Sequence, residues 1–201
     1  VQDCFKPGRF GFYNKSQRDC TYRNFQYDLF IDFFVDDDGK ACRGDVVDFE
    51  FVNQCTNASL AQYQSLTWNF GDGSPPVVNN NPTFANANVS HVYNTAGTYT
   101  ATLTVTDNTG CSATSSRTII IRNPITLTPT LTQPLCNGGL NGNVAVTATD
   151  GFGPYTYSYN GGAFWTANNW SGGAGTYVIA VTDGICSTTA QYTLNQPTPL
   201  T

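Results

Sequence analysis

Apolar and polar residues alternate with a period of two along most of the chain. Tyr99, Ala101, Leu103 and Val105 alternate with Thr100, Thr102 and Thr104, which sets an apolar face against a hydroxyl-bearing one. The same period recurs in Val47/Phe49/Phe51, Val144/Val146/Ala148, Tyr155/Tyr157/Tyr159 and Tyr177/Ile179/Val181. Leu29, Ile31, Phe33 and Val35 read as a first strand. β-Branched and aromatic residues suit a pleated, half-buried surface. Turn formers punctuate these runs at Gly71-Asp72-Gly73, Asn94 to Gly97, Asn108-Thr109-Gly110, Asn137-Gly138-Gly139 and Asn160-Gly161-Gly162. No helical pattern is long enough to cross over between parallel strands. The periodicity predicts an all-β chain built as sandwiches.

The strands fall into two sets. Ile119 to Ile121 closes the first, Asn123-Pro124 marks a short linker, and Ile125 to Thr132 opens the second. Gln196-Pro197-Thr198-Pro199 reads as another linker between domains. The expected division is therefore 27–122 and 125–198, preceded by residues 1–26. That first stretch is basic (Lys6, Arg9, Lys15, Arg18, Arg23) and rich in Phe and Tyr. It reads as an elaboration of the first sandwich or the tail of a preceding unit.

Composition narrows the function. Only 11% of the 201 residues are charged, against about 25% in ordinary soluble domains. Net charge is −5, which argues against nucleic acid as a partner. No run of roughly 18 apolar residues occurs, so no membrane insertion is expected. The chain begins with Val1 and has no Met, and reads as a piece of a longer precursor. Seven cysteines with a single histidine and no Cys-x-x-Cys pair point to an oxidising, extracellular setting rather than a zinc cluster. An odd count leaves one thiol free or paired with another chain. Cys136 and Cys186 flank the first and late strands of the second set and are expected to pair, which would stabilise it by roughly 4 kcal/mol. For Cys4, Cys20 and Cys55, both Cys4–Cys20 and Cys20–Cys55 remain open.

Two sets of residues carry family resemblances. Trp68-Asn69-Phe70-Gly71-Asp72-Gly73, then His91-Val92-Tyr93, then Gly97-Thr98-Tyr99 before an alternating strand, resembles the polycystic-kidney-disease (PKD) domain. The resemblance spans about 27–122 and implies an immunoglobulin-like sandwich of a surface or secreted protein. Asn69 stands where the family usually has Asp, and its amide oxygen is expected to keep the turn. Related PKD domains carry Cys near Cys42 and Cys111, so the resemblance implies a Cys42–Cys111 bond. In the second set, Pro134-Leu135-Cys136-Asn137-Gly138-Gly139, Asn141-Gly142, Pro154 to Tyr159, Gly175-Thr176-Tyr177 and Thr182-Asp183-Gly184-Ile185-Cys186 are similar to a SprB-type repeat. Such repeats stand in tandem in large cell-surface adhesins of Bacteroidota, some tied to gliding motility. The resemblance, over about 125–198, implies export by type IX secretion.

Candidate chemistry is sparse, and no residue is expected to be catalytic. His91 falls within the His-x-Tyr pattern, where a packed strand residue is expected, and no nucleophile-elbow, P-loop or dinucleotide fingerprint appears. Asp36-Asp37-Asp38-Gly39 is the cation candidate, with Asp36 and Asp38 as calcium ligands. Phe34 stands where a calcium loop wants an oxygen, and a solvated acidic turn is the alternative. Trp165 and Trp170, in a Gly- and Asn-rich stretch, either stack on a sugar ring or close the end of a core. Arg43-Gly44-Asp45 and the sequons at Asn14, Asn57, Asn88 and Asn169 match short patterns that arise readily by chance.

The expected role is a non-catalytic adhesin or stalk segment at the cell surface, acting as a rigid disulfide-stapled spacer. Its expected partners are neighbouring repeats, other copies of the chain, or surface polysaccharide. A filament subunit docked through residues 1–26 and an accessory carbohydrate-binding module of a secreted enzyme are the alternatives.

Overall fold

The alternating runs become strands. The structure, a computed structural model, describes residues 31–53, 60, 63–83 and 85–199, together with two short paired strands, β1 (Thr21–Tyr22) and β2 (Phe25–Gln26). Leu29, Cys4, Cys20 and most of residues 1–26 lie outside the described residues. No α-helix occurs among the described residues, and the fold is a pair of tandem immunoglobulin-like β-sandwich units. The first unit lies within Val1–Lys40 and Gly44–Ile121, and the second comprises Ala41–Arg43 and Arg122–Thr201.

The first unit holds β3 (Ile31–Val35), β4 (Lys40–Cys42), β5 (Val46–Asn53), β6 (Tyr63–Asn69), β7 (Val77–Asn80), β8 (Val89–Val92), β9 (Gly97–Asp107) and β10 (Ser112–Arg122). They form a three-stranded sheet, β3-β5-β8, and a five-stranded sheet, β4-β10-β9-β6-β7. β4 straddles the division, since its Ala41 and Cys42 are counted with the second unit. Alternation along β9 works as the sequence predicts: Ala101, Leu103 and Val105 are buried. Its threonines pair across the outer face with β10, Thr104 with Thr114 at 2.9 Å and Thr106 with Ser112 at 2.9 Å. The core is a cluster of rings. Phe33 meets Trp68 edge-on at 5.2 Å, and Phe49 packs on Phe70 at 5.2 Å. The buried indole still donates to Ala87 O at 3.2 Å, so its polar atom is not stranded. Arg117 on β10 reaches β3, with both oxygens of Asp32 at 2.7 Å and Phe33 O at 3.1 Å.

The second unit holds β11 (Thr126–Thr132), β12 (Gly142–Thr149), β13 (Thr156–Tyr159), β14 (Asn169–Gly172), β15 (Gly175–Thr182) and β16 (Ser187–Leu194). Its sheets are β11-β12-β14 and β13-β15-β16. Val144, Val146, Ile179, Val181 and Leu194 fill the interior with Tyr157 and Tyr177, and the partly buried Tyr155, Tyr159 and Tyr192 pack at its margin. β13 departs from strict alternation, because Tyr157 and Ser158 are both buried. The cause is a fold-back: Trp165 exchanges two backbone hydrogen bonds with Tyr157, at 2.8 and 2.9 Å, and Ser158 Oγ donates to Gly162 O at 2.6 Å.

Sheet orders reveal a shared plan. In both units the first two long strands lie with a later one in a three-stranded sheet: β3, β5 and β8, then β11, β12 and β14. In both, the last two strands form a hairpin in the opposite sheet: β9–β10, then β15–β16.

Candidate functional site

In the first unit, chemistry-bearing residues gather around the loop after β6. Asn69 Oδ1 accepts from Gly71 N at 2.9 Å, so the amide oxygen does keep the turn. Gly71 has φ of +78°, and a Cβ there would lie 2.4 Å from Thr100 O. Only glycine meets both demands. Asp72 Oδ1 accepts from Ser74 N at 3.0 Å and Ser74 Oγ at 2.6 Å, while its Oδ2 lies 2.7 Å from His91 Nε2. The His91 ring stacks flat on Phe70 at 4.0 Å and meets Tyr93 edge-on at 4.7 Å. Tyr93 OH donates to Phe70 O at 3.0 Å. Partial burial pushes the Asp72 carboxyl up, but the Ser74 and His91 hydrogen bonds and the nearby imidazole outweigh it and hold its pKa at about 2. Burial drives the Tyr93 phenol well above its ordinary value. Trp68, Phe70, Gly71, Asp72, His91 and Tyr93 thus interlock as a structural cluster. The histidine ring is committed on one nitrogen and on both its stacked and edge contacts.

A second constellation lies at each unit's last hairpin, and it is repeated. Before the hairpin, Tyr99 OH donates to Thr95 O at 2.7 Å and Tyr177 OH to Gly173 O at 2.6 Å. Each phenol reaches back four residues and pins the entry to a long strand, as in tyrosine corners of other sandwiches. At the hairpin itself an aspartate caps the turn. Asp107 Oδ1 accepts from Thr109 N at 2.8 Å, Thr109 Oγ1 at 2.7 Å and Cys111 N at 2.9 Å. Asp183 does more. Its Oδ1 accepts from Ile185 N at 2.9 Å and Cys186 N at 2.7 Å, and its Oδ2 from Phe152 N at 2.6 Å and Gly153 N at 3.3 Å. Partial burial pushes this carboxyl up, and the four amide donors more than reverse it, leaving its pKa below the ordinary range. At Gly151 a Cβ would lie 2.4 Å from Asp183 Oδ2. The residue must be glycine for the carboxylate to reach the following amides.

The disulfides correct the sequence expectation. Cys42 is bonded to Cys186, across a sequence separation of 144. The expected Cys136–Cys186 and Cys42–Cys111 pairs are therefore both wrong. Cys111 is disulfide-bonded, but not to Cys42. Cys136 is a free, exposed thiol. The physical reason is that Cys42 belongs to the second unit's buried cluster, beside Cys186 on the Asp183 hairpin. Cys136 instead lies on a solvent-facing loop.

Asp36, Asp37, Asp38 and Gly39 form a tight turn with non-helical backbone inside it, since Asp37, Asp38 and Gly39 all have positive φ, at 50°, 54° and 77°. Among the described residues no three His, Cys, Asp or Glu side chains are gathered to hold a metal. Asp36 and Asp38 make a tight acidic turn, and Phe34 beside it is 61% exposed. Trp170 is half-buried and packs on Tyr177 with ring centres 4.4 Å apart. Trp165 is 63% exposed and its neighbour Phe164 50%. The structure thus gives Trp170 the core contact and leaves Trp165 to solvent.

Residues 34–121 match the PKD domain family, and residues 128–164 match the SprB repeat. Both lie in the order that the sequence resemblances predict. Among solved structures, the chain is similar to the PKD1 domain of Vibrio anguillarum Epp, with 26% identity and a TM-score of 0.35 over 47% of this chain and 94% of that one. It is also similar to the fibronectin(III)-like modules of Clostridium thermocellum CbhA, with 14% identity and a TM-score of 0.42 over 82% of this chain and 93% of that one. A C-terminal fragment of intimin, solved with the intimin-binding domain of its translocated receptor, gives 15% identity and a TM-score of 0.51 over 83% of this chain and 64% of that one. That likeness is one of fold. PKD and SprB units usually belong to extracellular or surface proteins and are typically non-catalytic. No helix among the described residues is long and apolar enough to cross a membrane.

Proposed function

We propose that the chain is a force-bearing spacer of an extracellular adhesin, in which a covalent bond limits how far the polypeptide can be drawn out. One observation carries this reading: Cys42 and Cys186 enclose 144 residues of sequence separation. Under tension applied at the ends of the chain, that length cannot extend while the bond holds. At about 3.3–3.6 Å per residue it amounts to roughly 500 Å of hidden contour. The PKD-then-SprB order supports a place among the repeats of a large surface protein. The finer reading, a gliding-motility adhesin exported by type IX secretion, follows the SprB resemblance.

Single-molecule stretching tests the spacer. Without reductant, complete unfolding should release a short contour; with reductant, the release should grow by about 500 Å. Equal contour lengths in the two conditions would end the reading. A second reading has one observation in its favour, the adjoining exposed rings of Phe164 and Trp165. They suit stacking on a sugar of surface polysaccharide. A glycan array that binds the wild-type chain but not Trp165→Ala would establish it, and no binding by the wild type would remove it.

A further inference from the structure

We propose that residues 160–169 form a binding site for an uncharged polysaccharide, whose sugar rings stack on Phe164 and Trp165 and whose hydroxyls bond the polar side chains beside them. The proposal deepens the second reading above by naming the class of sugar and the groups that meet it, and it rests on that reading. Four observations support it.

The first is which rings stay outside. Seven of the second unit's nine aromatic residues are buried in its core or packed against it. The exceptions are Phe164 and Trp165, adjacent in sequence and 50% and 63% exposed. A small sandwich gains by burying rings, so two neighbours left in water mark a surface with another use.

The second is how they are held. After β13 the chain turns, with Gly162 N donating to Tyr159 O at 3.0 Å and Ser158 Oγ to Gly162 O at 2.6 Å. Trp165 then exchanges its two backbone bonds with Tyr157 of β13, and Val146 N of β12 donates to Asn168 O at 2.8 Å. β13 and β12 belong to different sheets, so the segment is a strap fastened to both. Rings carried on a fixed backbone lose little freedom when a ligand arrives.

The third is the polar collar. Thr166, Asn168 and Asn169 are exposed, and among the described residues their side chains have no hydrogen-bond partner. Asn160 is occupied by contrast, since its Oδ1 accepts from Val178 N at 2.8 Å. Two primary amides and a hydroxyl offer donors and acceptors together. They complement the hydroxyls of a sugar, while the rings suit its CH faces.

The fourth is charge. Residues 151–182 contain no Asp, Glu, Lys, Arg or His, and from 123 to 201 the charged side chains are Asp150 and Asp183 alone. Both oxygens of Asp183 are taken by backbone amides. This stretch of chain supplies no cation to a uronate or a sulfate, and the strap supplies no carboxylate to an amino sugar. Shape and hydroxyls are what such a surface can discriminate.

Biolayer interferometry of the full chain on immobilised polymers tests the site. Dextran, mannan and laminarin serve as neutral chains, alginate and polygalacturonate as anionic ones, and glycol chitosan as a cationic one. Binding is expected to at least one neutral polymer, and unchanged between low and high salt. Trp165→Ala should weaken it about tenfold and Asn168→Ala about fivefold, while Trp165→Phe keeps most of it. Both side chains are exposed, so these variants should unfold at the wild-type midpoint, and the losses then report contact rather than folding. Neutral binding that survives Trp165→Ala overturns the proposal, as does binding lost in high salt. Binding confined to charged polymers yet dependent on Trp165 overturns this proposal and leaves the second reading standing, whereas binding to no polymer removes both.

Discussion

The two units reach closure by different means. The PKD-like unit gathers Phe33, Phe49, Trp68, Phe70 and Tyr93 between a three-stranded and a five-stranded sheet. The SprB-like unit has two three-stranded sheets and an interior of Val144, Val146, Ile179, Val181 and Leu194. Fewer strands leave room for fewer rings. Each unit has a disulfide-bonded cysteine at its last hairpin, Cys111 and Cys186, so the cross-link is common to both. The smaller unit draws one carboxylate, Asp183, into four amide bonds, where its counterpart Asp107 caps a single turn. The lesson is that a common hairpin plan tolerates a change of core if the hairpin itself is fastened harder.

Four changes break or sharpen that contrast. The largest effect is expected from Trp68→Ala, which empties the ring cluster and should cost the PKD-like unit about 3–5 kcal/mol. Denaturant unfolding should show it, while mass mapping still finds Cys42 bonded to Cys186. An unmoved midpoint would mean that the rings are not what closes this unit. Next comes Cys42→Ser, expected to cost the SprB-like unit about 2–5 kcal/mol and to spare the other. Hydrogen exchange resolves the two: faster exchange confined to β11–β16 is the expected outcome.

The third change is a matched pair. Asp183→Ala strands amides in two loops and should cost about 2–3 kcal/mol, whereas Asp107→Ala should cost about 1 kcal/mol. Equal losses would contradict the claim that the smaller unit is fastened harder at its hairpin. The smallest effect concerns acid. Asp72 has a folded pKa of about 2 against an ordinary 3.8. Its contribution is therefore complete above about pH 4 and falls away as pH drops toward 2. Asp183 is depressed as well and adds to the loss. Asp72→Asn should be less stable than wild type near neutral pH and flatter below pH 4, as read by acid titration of the unfolding midpoint. Parallel curves for the two proteins would remove Asp72 from the account.

Much of this was legible in the residues. Val47/Phe49/Phe51 and Ala101/Leu103/Val105 declared their buried faces, because a period of two leaves little choice once one face is covered. The Trp68 to Gly73 loop was legible because its turn is local. The Asp72–His91 contact was harder: the two lie 19 residues apart, and each had a sufficient local role of its own. Asp183 was half legible. Its bonds to Ile185 and Cys186 are those of any Asp turn, but those to Phe152 and Gly153 join positions about 30 residues apart. The disulfides were not legible from spacing, since pairing depends on which loop ends meet and sequence distance does not encode that. One signal was present. Val105-Thr106-Asp107 leading to Cys111 repeats as Val181-Thr182-Asp183 leading to Cys186.

The hydroxyl pairs that line the outer faces, Thr104 with Thr114, Thr106 with Ser112, and Thr176 with Thr193, have an environmental consequence. Neutral groups carry no ionic atmosphere to be compressed, so dissolved electrolyte has little purchase on these faces. A sheet dressed this way keeps its shape in rainwater and in brine alike.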